Sequence, residues 1–164
     1  AVVSTQSTWG EWEEGMGTWG KLEVELEIKS GTAKFHDLLS SNPHHVATIS
    51  PGRIHGCDLH DGHYSKPNSL VYWTYVLDGA VVGAKAALEE VDGERHRMRW
   101  RAVEGHPLED NRSFLLRKEA RGGNRVAWIV EYEKRRPELP EPLPFLQMLI
   151  HVTRDMDSHF MTNP

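Results

Sequence analysis

Cysteine is almost missing from this chain: Cys57 stands alone, so no internal disulfide can form. A reducing compartment follows, and the cytoplasm is the expected localisation. Long hydrophobic runs are also missing. Nothing approaches the roughly 20 apolar residues of a membrane span, and no basic start with an apolar run predicts a signal peptide. Positive charge is in deficit, with 19 Lys and Arg against 24 Asp and Glu and a net charge of −5. That balance argues against a reader of nucleic-acid phosphates and gives no attraction to an anionic membrane. No Ser–His–Asp order, phosphate-binding loop or dinucleotide fingerprint occurs. No cofactor is expected.

What is present fits one domain of 164 residues. Residues 1–17 are rich in Ser, Thr, Gly and acid and follow neither period. They are expected to be a flexible N-terminal extension, or in some measure a remnant of expression, with Trp9 and Trp12 unusual there and Met16 a candidate natural start. Residues 18–164 are then a single ligand-binding domain. Leu22–Ile28 alternates strictly, which predicts a strand with one wet face. Ser30-Gly31-Thr32 is a candidate cap for a helix placing Phe35, Leu38 and Leu39 together, and Asn42-Pro43 stops it. Further strands are predicted at Ile54–Leu59, Leu70–Leu77, Ala80–Val91, Arg95–Val103, Ser113–Ala120 and Val126–Glu133. Turns at Asp78-Gly79, Asp92-Gly93 and Gly122-Gly123 join several of them. Pro137, Pro140, Pro142 and Pro144 then break the strand pattern, and Phe145, Leu149, Val152, Met156 and Phe160 form a helical stripe. The class is α+β. One helix about 10 Å wide cannot fill the concavity of some six or seven strands, so the sheet either coils tightly or leaves a pocket.

Five segments resemble one family: KLEVELEIKS at 21–30, YVLDGAVVGAKAALEEVDGE at 75–94, AVEG at 102–105, VAWIVEYEK at 126–134, and the closing helix. In this order they resemble the major latex proteins, members of the birch-pollen-allergen superfamily of plant ligand carriers. The resemblance runs from about Gly20 to Met161. It implies a helix-grip fold: a curved seven-stranded antiparallel sheet around a long C-terminal helix, with two short helices after the first strand. It also implies a small hydrophobic ligand such as a steroid, flavonoid, cytokinin or alkaloid precursor, and roles in plant defence or specialised metabolism. Some relatives are isomerases or condensing enzymes. Two departures stand out. HDGHYSKPN at 60–68 keeps only Gly62 of the usual glycine-rich loop, and the usual EGD turn reads Glu104-Gly105-His106.

Candidate site residues follow from faces. His55, Cys57, Asp58, His60, Asp61 and His63 collect metal-ligating types. Alternation splits them, with His55 and Cys57 on one face and Asp58 and His60 on the other, so no tetrahedral site is expected. Cys57 reads as a small buried hydrophobe. His44-His45 reads as polar surface, bordering the pocket mouth if the resemblance holds. In Arg95–Arg101 four arginines alternate with His96, Met98 and Trp100. Cross-strand pairing with Glu89, Glu90 and Glu119 explains the arginines, and the other face must then point inward. Val71, Trp73, Tyr75 and Leu77 form a second inward row. For Trp128 and Ile129, hydrophobicity turns the first inward and the family alignment the second; both readings stay open. The expected ligand lining is Phe35, Leu39, Trp73, Tyr75, His96, Met98, Trp100, Leu115, Leu149, Val152 and Met156, with His96 and Tyr75 the candidate proton-moving groups. Two functions compete: a monomeric or weakly dimeric binding protein, and a cofactor-independent isomerase or cyclase.

Overall fold

The computed structural model describes residues 2–7, 18–122 and 124–163. Its strands are β1 Val2–Ser7, β2 Trp19–Glu27, β3 Ile54–Asp61, β4 Ser69–Leu77, β5 Ala80–Asp92, β6 Arg97–Gly105, β7 Asn111–Ala120 and β8 Arg125–Lys134. Helices α1 Thr32–Ser41 and α2 Val46–Ile49 follow β2, α3 Pro107–Asp110 joins β6 to β7, and α4 Leu143–Thr162 closes the chain. The sheet runs β1-β2-β8-β7-β6-β5-β4-β3, antiparallel throughout. Strands β2 to β8 are the seven of the helix grip. β1 is an eighth, paired along β2 from Val2 opposite Glu25 to Ser7 opposite Gly20. Composition alone does not predict it, because VVSTQS has no strict alternation. Trp9, Trp12, Met16 and Gly123 lie outside the described residues.

The hairpin turns follow from local chemistry. Asp78 and Gly79 both take positive φ, 49° and 78°, the mirror-image turn that suits the twist of β4 and β5. Gly105 ends β6 at φ 104°, where a Cβ would lie 2.4 Å from the Gly83 carbonyl oxygen.

The wet face carries cross-strand ion pairs at Glu89 and Glu90 as expected, but Glu119 meets Arg117 and Arg121 rather than the arginines of β6. Glu89 receives Arg99 at 3.2 Å and Arg101 at 2.8 Å, and the arginines hold its carboxyl below the usual range. Arg97 reaches Glu90 and Asp92. Arg117 pairs with Glu131, and Arg121 with Glu23. The basic look of β6 is therefore cross-strand pairing.

Two placements differ from the sequence reading. β3 has a register irregularity between Ile54 and Gly56. It leaves His55 exposed and Cys57 buried, so the two do not share a face. At α1, Gly31 caps without a side-chain bond. Ser30 instead donates its hydroxyl to Asp157 of α4 at 2.6 Å.

α4 lies across the concave face. Leu146, Leu149, Val152 and Met156 are buried, with Phe145 and Phe160 half-buried at the two ends of the stripe. Its second half is tied down. Asp157 accepts from the Lys29 and Ser30 amides, and Asp155 from the Ser50 hydroxyl at 2.6 Å.

Candidate binding cavity

The inner faces of β4, β5 and β6 carry Trp73 and Tyr75, Ala84 and Ala86, and Trp100 and Ala102. Three alanines in the middle of a concave sheet leave room that neighbouring large side chains do not occupy. The result is a cavity of about 100 Å³. β7 adds Phe114 and Leu116, β8 adds Trp128, and α4 roofs it with Phe145, Met148, Leu149, Val152 and Met156. Leu39, Val46, Ile54 and Pro107 complete the wall.

Of the expected lining, Leu39, Trp73, Tyr75, Trp100, Leu149, Val152 and Met156 are on this wall. Phe35, His96, Met98 and Leu115 are not. Leu115 faces outward, beside Arg101 and Glu131 in the register. The inner row of β7 is Phe114, Leu116 and Lys118, so a leucine sits on the wet face while a lysine points in. Met98 is inward as expected, but a pleat beyond Trp100, where the interior is filled. Phe35 is fully buried there too, edge-on to Phe160 at 5.4 Å.

His96 is the larger correction. β6 begins at Arg97, so His96 belongs to the turn after β5, at φ 53°. Strand alternation does not apply to it. Its ring stacks on His36 at 5.2 Å, and its Nδ1 lies 3.3 Å from the Thr32 hydroxyl. Beside them Lys118, 1% exposed, brings Nζ within 3.2 Å of His36 Nδ1. Burial, with Lys118 and His96 nearby, lowers the His36 pKa to about 4. Burial lowers that of Lys118 to about 7. This polar cluster is separate from the cavity and was not legible in the sequence.

Trp128 turns inward. Its ring stacks on Trp100 at 6.3 Å between centroids, and its indole N–H donates to Thr153 Oγ1 at 2.9 Å. Thr153 in turn donates to the Leu149 carbonyl. Ile129 is buried on the opposite face of β8, so both residues avoid water and hydrophobicity could not choose between them.

Tyr75 is 3% exposed, and burial raises its phenol pKa. Among the described residues its hydroxyl has no hydrogen-bond partner. A second, outer cavity of about 370 Å³ adjoins the first and shares Tyr75, Pro107, Phe114 and Phe145 with it. Phe145 stands edge-on to both Tyr75, at 5.8 Å, and Phe114, at 5.1 Å. Among the described residues, no group of three or more metal-ligating side chains converges. No described helix is long and apolar enough to cross a membrane.

The profile of the pathogenesis-related protein Bet v 1 family matches residues 17–163. MLP-like protein 31 of Arabidopsis thaliana is 38% identical, over 87% of this chain and 86% of its own length. MLP-like protein 28 of the same plant is 39% identical, but this chain spans only 44% of it. The crystal structure of major latex-like protein 151 from Panax ginseng superposes with a TM-score of 0.85 at 37% identity, covering 88% of this chain and 99% of that one. Norcoclaurine synthase from Thalictrum flavum, solved with dopamine and hydroxybenzaldehyde, has a TM-score of 0.70 over 89% of this chain and 88% of its own, at 15% identity, a likeness of fold alone. The chain belongs to the Bet v 1 family and, within it, to the major latex proteins.

Proposed function

We propose that residues 18–164 are an intracellular plant binding domain for a small hydrophobic metabolite of the hormone, steroid, flavonoid or alkaloid type, acting as a monomer or weak dimer. The carrying observation is the apolar cavity under α4, walled by three alanines where a solid core would place large side chains. A cavity of about 100 Å³ is smaller than the roughly 150 Å³ that admits benzene in an engineered protein. A ligand of two or more rings therefore needs the outer cavity as well. Inner and outer spaces together reach the roughly 300–1,000 Å³ range of small-molecule sites. Turning the Phe145 ring, which stands on their shared wall, would join them.

The test is binding of the environment-sensitive dye ANS to the native protein. Ala86→Phe should fill the inner cavity, abolish binding and leave a folded domain. If native protein ignores the dye, or if Ala86→Phe binds it as well as the parent, the cavity is not a ligand site.

A second reading is a cofactor-independent isomerase or cyclase. Tyr75 favours it, as a hydroxyl-bearing residue on the cavity wall. Burial raises its pKa, which keeps the phenol protonated at neutral pH and makes it a weaker acid than a free tyrosine, so its role there would be to orient a substrate by a hydrogen bond. His96 does not stand opposite it, so the acid–base pair suggested by the sequence is not assembled. Native mass spectrometry after incubation in plant extract separates the readings. A retained ligand that is released unchanged in both mass and chromatographic retention supports binding. Conversion of the captured compound to a new mass or isomer supports catalysis.

A further inference from the structure

The outer cavity has a chemical character of its own. It lies between the β4–β5 hairpin, α3 and the chain leading into α4, and it is the polar one of the two. Two buried side chains on its wall carry an atom without a partner among the described residues: Tyr75 Oη and Asn111 Oδ1. They are 3% and 5% exposed. The Asn111 amide is oriented by its own nitrogen, which donates to the Pro107 carbonyl at 2.9 Å. That leaves Oδ1, itself buried, without a partner among the described residues, and an amide oxygen only accepts.

The rest of the lining points the same way. Asp78, Asp110 and Glu141 are carboxylates, against one histidine, His106, which lies 3.6 Å from Glu109. Glu141 is already engaged by Lys134 Nζ at 2.9 Å and by the Tyr132 hydroxyl. The first turn of α4 would ordinarily offer backbone N–H groups to an anion. Here Pro142 caps it and Pro144 occupies its second position, so two of those donors are missing. Asn111 Oδ1 and the carboxylates give the chamber acceptors in surplus, with Tyr75 able to accept or donate, and a ligand carboxylate or phosphate would meet the carboxylates with the wrong sign.

We infer that the outer cavity is a recognition subsite for a hydrogen-bond donor, a hydroxyl or a protonated amine, at one end of a ligand whose apolar body occupies the inner cavity. The inference rests on the cavity being a ligand site. It adds polarity and orientation to that reading: the donor end lies toward α3 and the apolar end toward the Trp100–Trp128 pair. Tyr75, on the wall common to both spaces, reads the junction. A buried polar atom left without a partner costs stability, and a ligand donor recovers that cost on binding.

Isothermal titration of the full chain with four probes on one skeleton tests this: 2-ethylnaphthalene, 2-(2-naphthyl)ethanol, 2-(2-naphthyl)ethylamine and 2-naphthylacetate. The alcohol and the amine should bind about tenfold more tightly than the hydrocarbon, and the carboxylate more weakly than either. Tyr75→Phe should shrink the alcohol's advantage over the hydrocarbon several-fold and raise the melting midpoint, since it deletes a buried oxygen that has no partner among the described residues. In the parent protein, the Asn111 side-chain amide resonances should shift with the alcohol and not with the hydrocarbon, a readout independent of any variant's folding. If the hydrocarbon binds and the polar ends make no difference, or if the carboxylate binds best, the subsite is overturned and the binding cavity stands. If none of the four binds, both fall.

Discussion

The interior of this sheet has two ends built on opposite principles. One end, under the first half of α4, is apolar and hollow. The other, under α1, is full and holds a lysine, two histidines and a threonine hydroxyl in contact. The stacked Trp100 and Trp128 belong to the cavity wall, and the filled end begins with Met98 and Lys118, a single pleat further along. The contrast shows that a concave sheet with a single covering helix does not become a uniform core. Where α1 adds Phe35 and His36, the space is filled. Where α4 is the main cover, with only Leu39, Val46 and Pro107 from the shorter helices, alanines leave it open. Close packing and open space are thereby housed in different halves of one layer.

The strongest challenge to that division is a pair of truncations. Phe35→Ala, in the filled end, should cost about 3–5 kcal/mol. Leu149→Ala, on the cavity wall, should fall near 2 kcal/mol, the lower limit for such changes, because its neighbours already border empty space. Denaturant midpoints at constant slope measure both. Equal costs would mean the two ends are packed alike.

A pH series addresses the polar end. Lys118 releases its proton near pH 7 in the folded chain but near 10.4 when unfolded. Between those values the unfolded state binds more protons, so stability should rise with pH, by about 1 kcal/mol per unit from pH 7 to 9. Above that window the slope should flatten, because burial also raises the Cys57 thiol and Tyr75 phenol, which favours folding less as their unfolded counterparts ionise. Lys118→Met should remove the slope and add on the order of 2 kcal/mol at neutral pH. A flat profile in the parent protein would mean the amine reaches water.

The smallest effect belongs to the boundary. Thr153→Val deletes the acceptor of the Trp128 indole and should cost about 1–2 kcal/mol in thermal melts. A change within error would mean that the indole finds another acceptor, and that the wall between the two ends is less fixed than its stacking suggests.

The fold was legible because its signals are local. Strict alternation marks β2, aspartate–glycine pairs mark the turns, and the 3.6-residue stripe marks α4. The cavity was half legible for the same reason. Alternation finds which face of β4 and β6 is inward, but not how far along that face the space is filled, since this depends on α1, distant in sequence. Phe114 and Leu116 were missed because Lys118 shares their row and disguises it as a wet face. His96 was misplaced by beginning β6 two residues early. The alanines Ala84, Ala86 and Ala102 carry the cavity by what they lack, which no hydrophobicity pattern reports.

Asp155 and Asp157 anchor only the second half of α4, through Ser50, Lys29 and Ser30. The first half starts among prolines and rests on aromatic rings at Phe145. The polar ties of α4 thus gather near Asp157, while its first turn, over the junction of the two cavities, is held by apolar packing. In the binding role proposed above, a guest would enter by parting the ring contacts at the first helical turn and leave the ties at Asp155 and Asp157 in place.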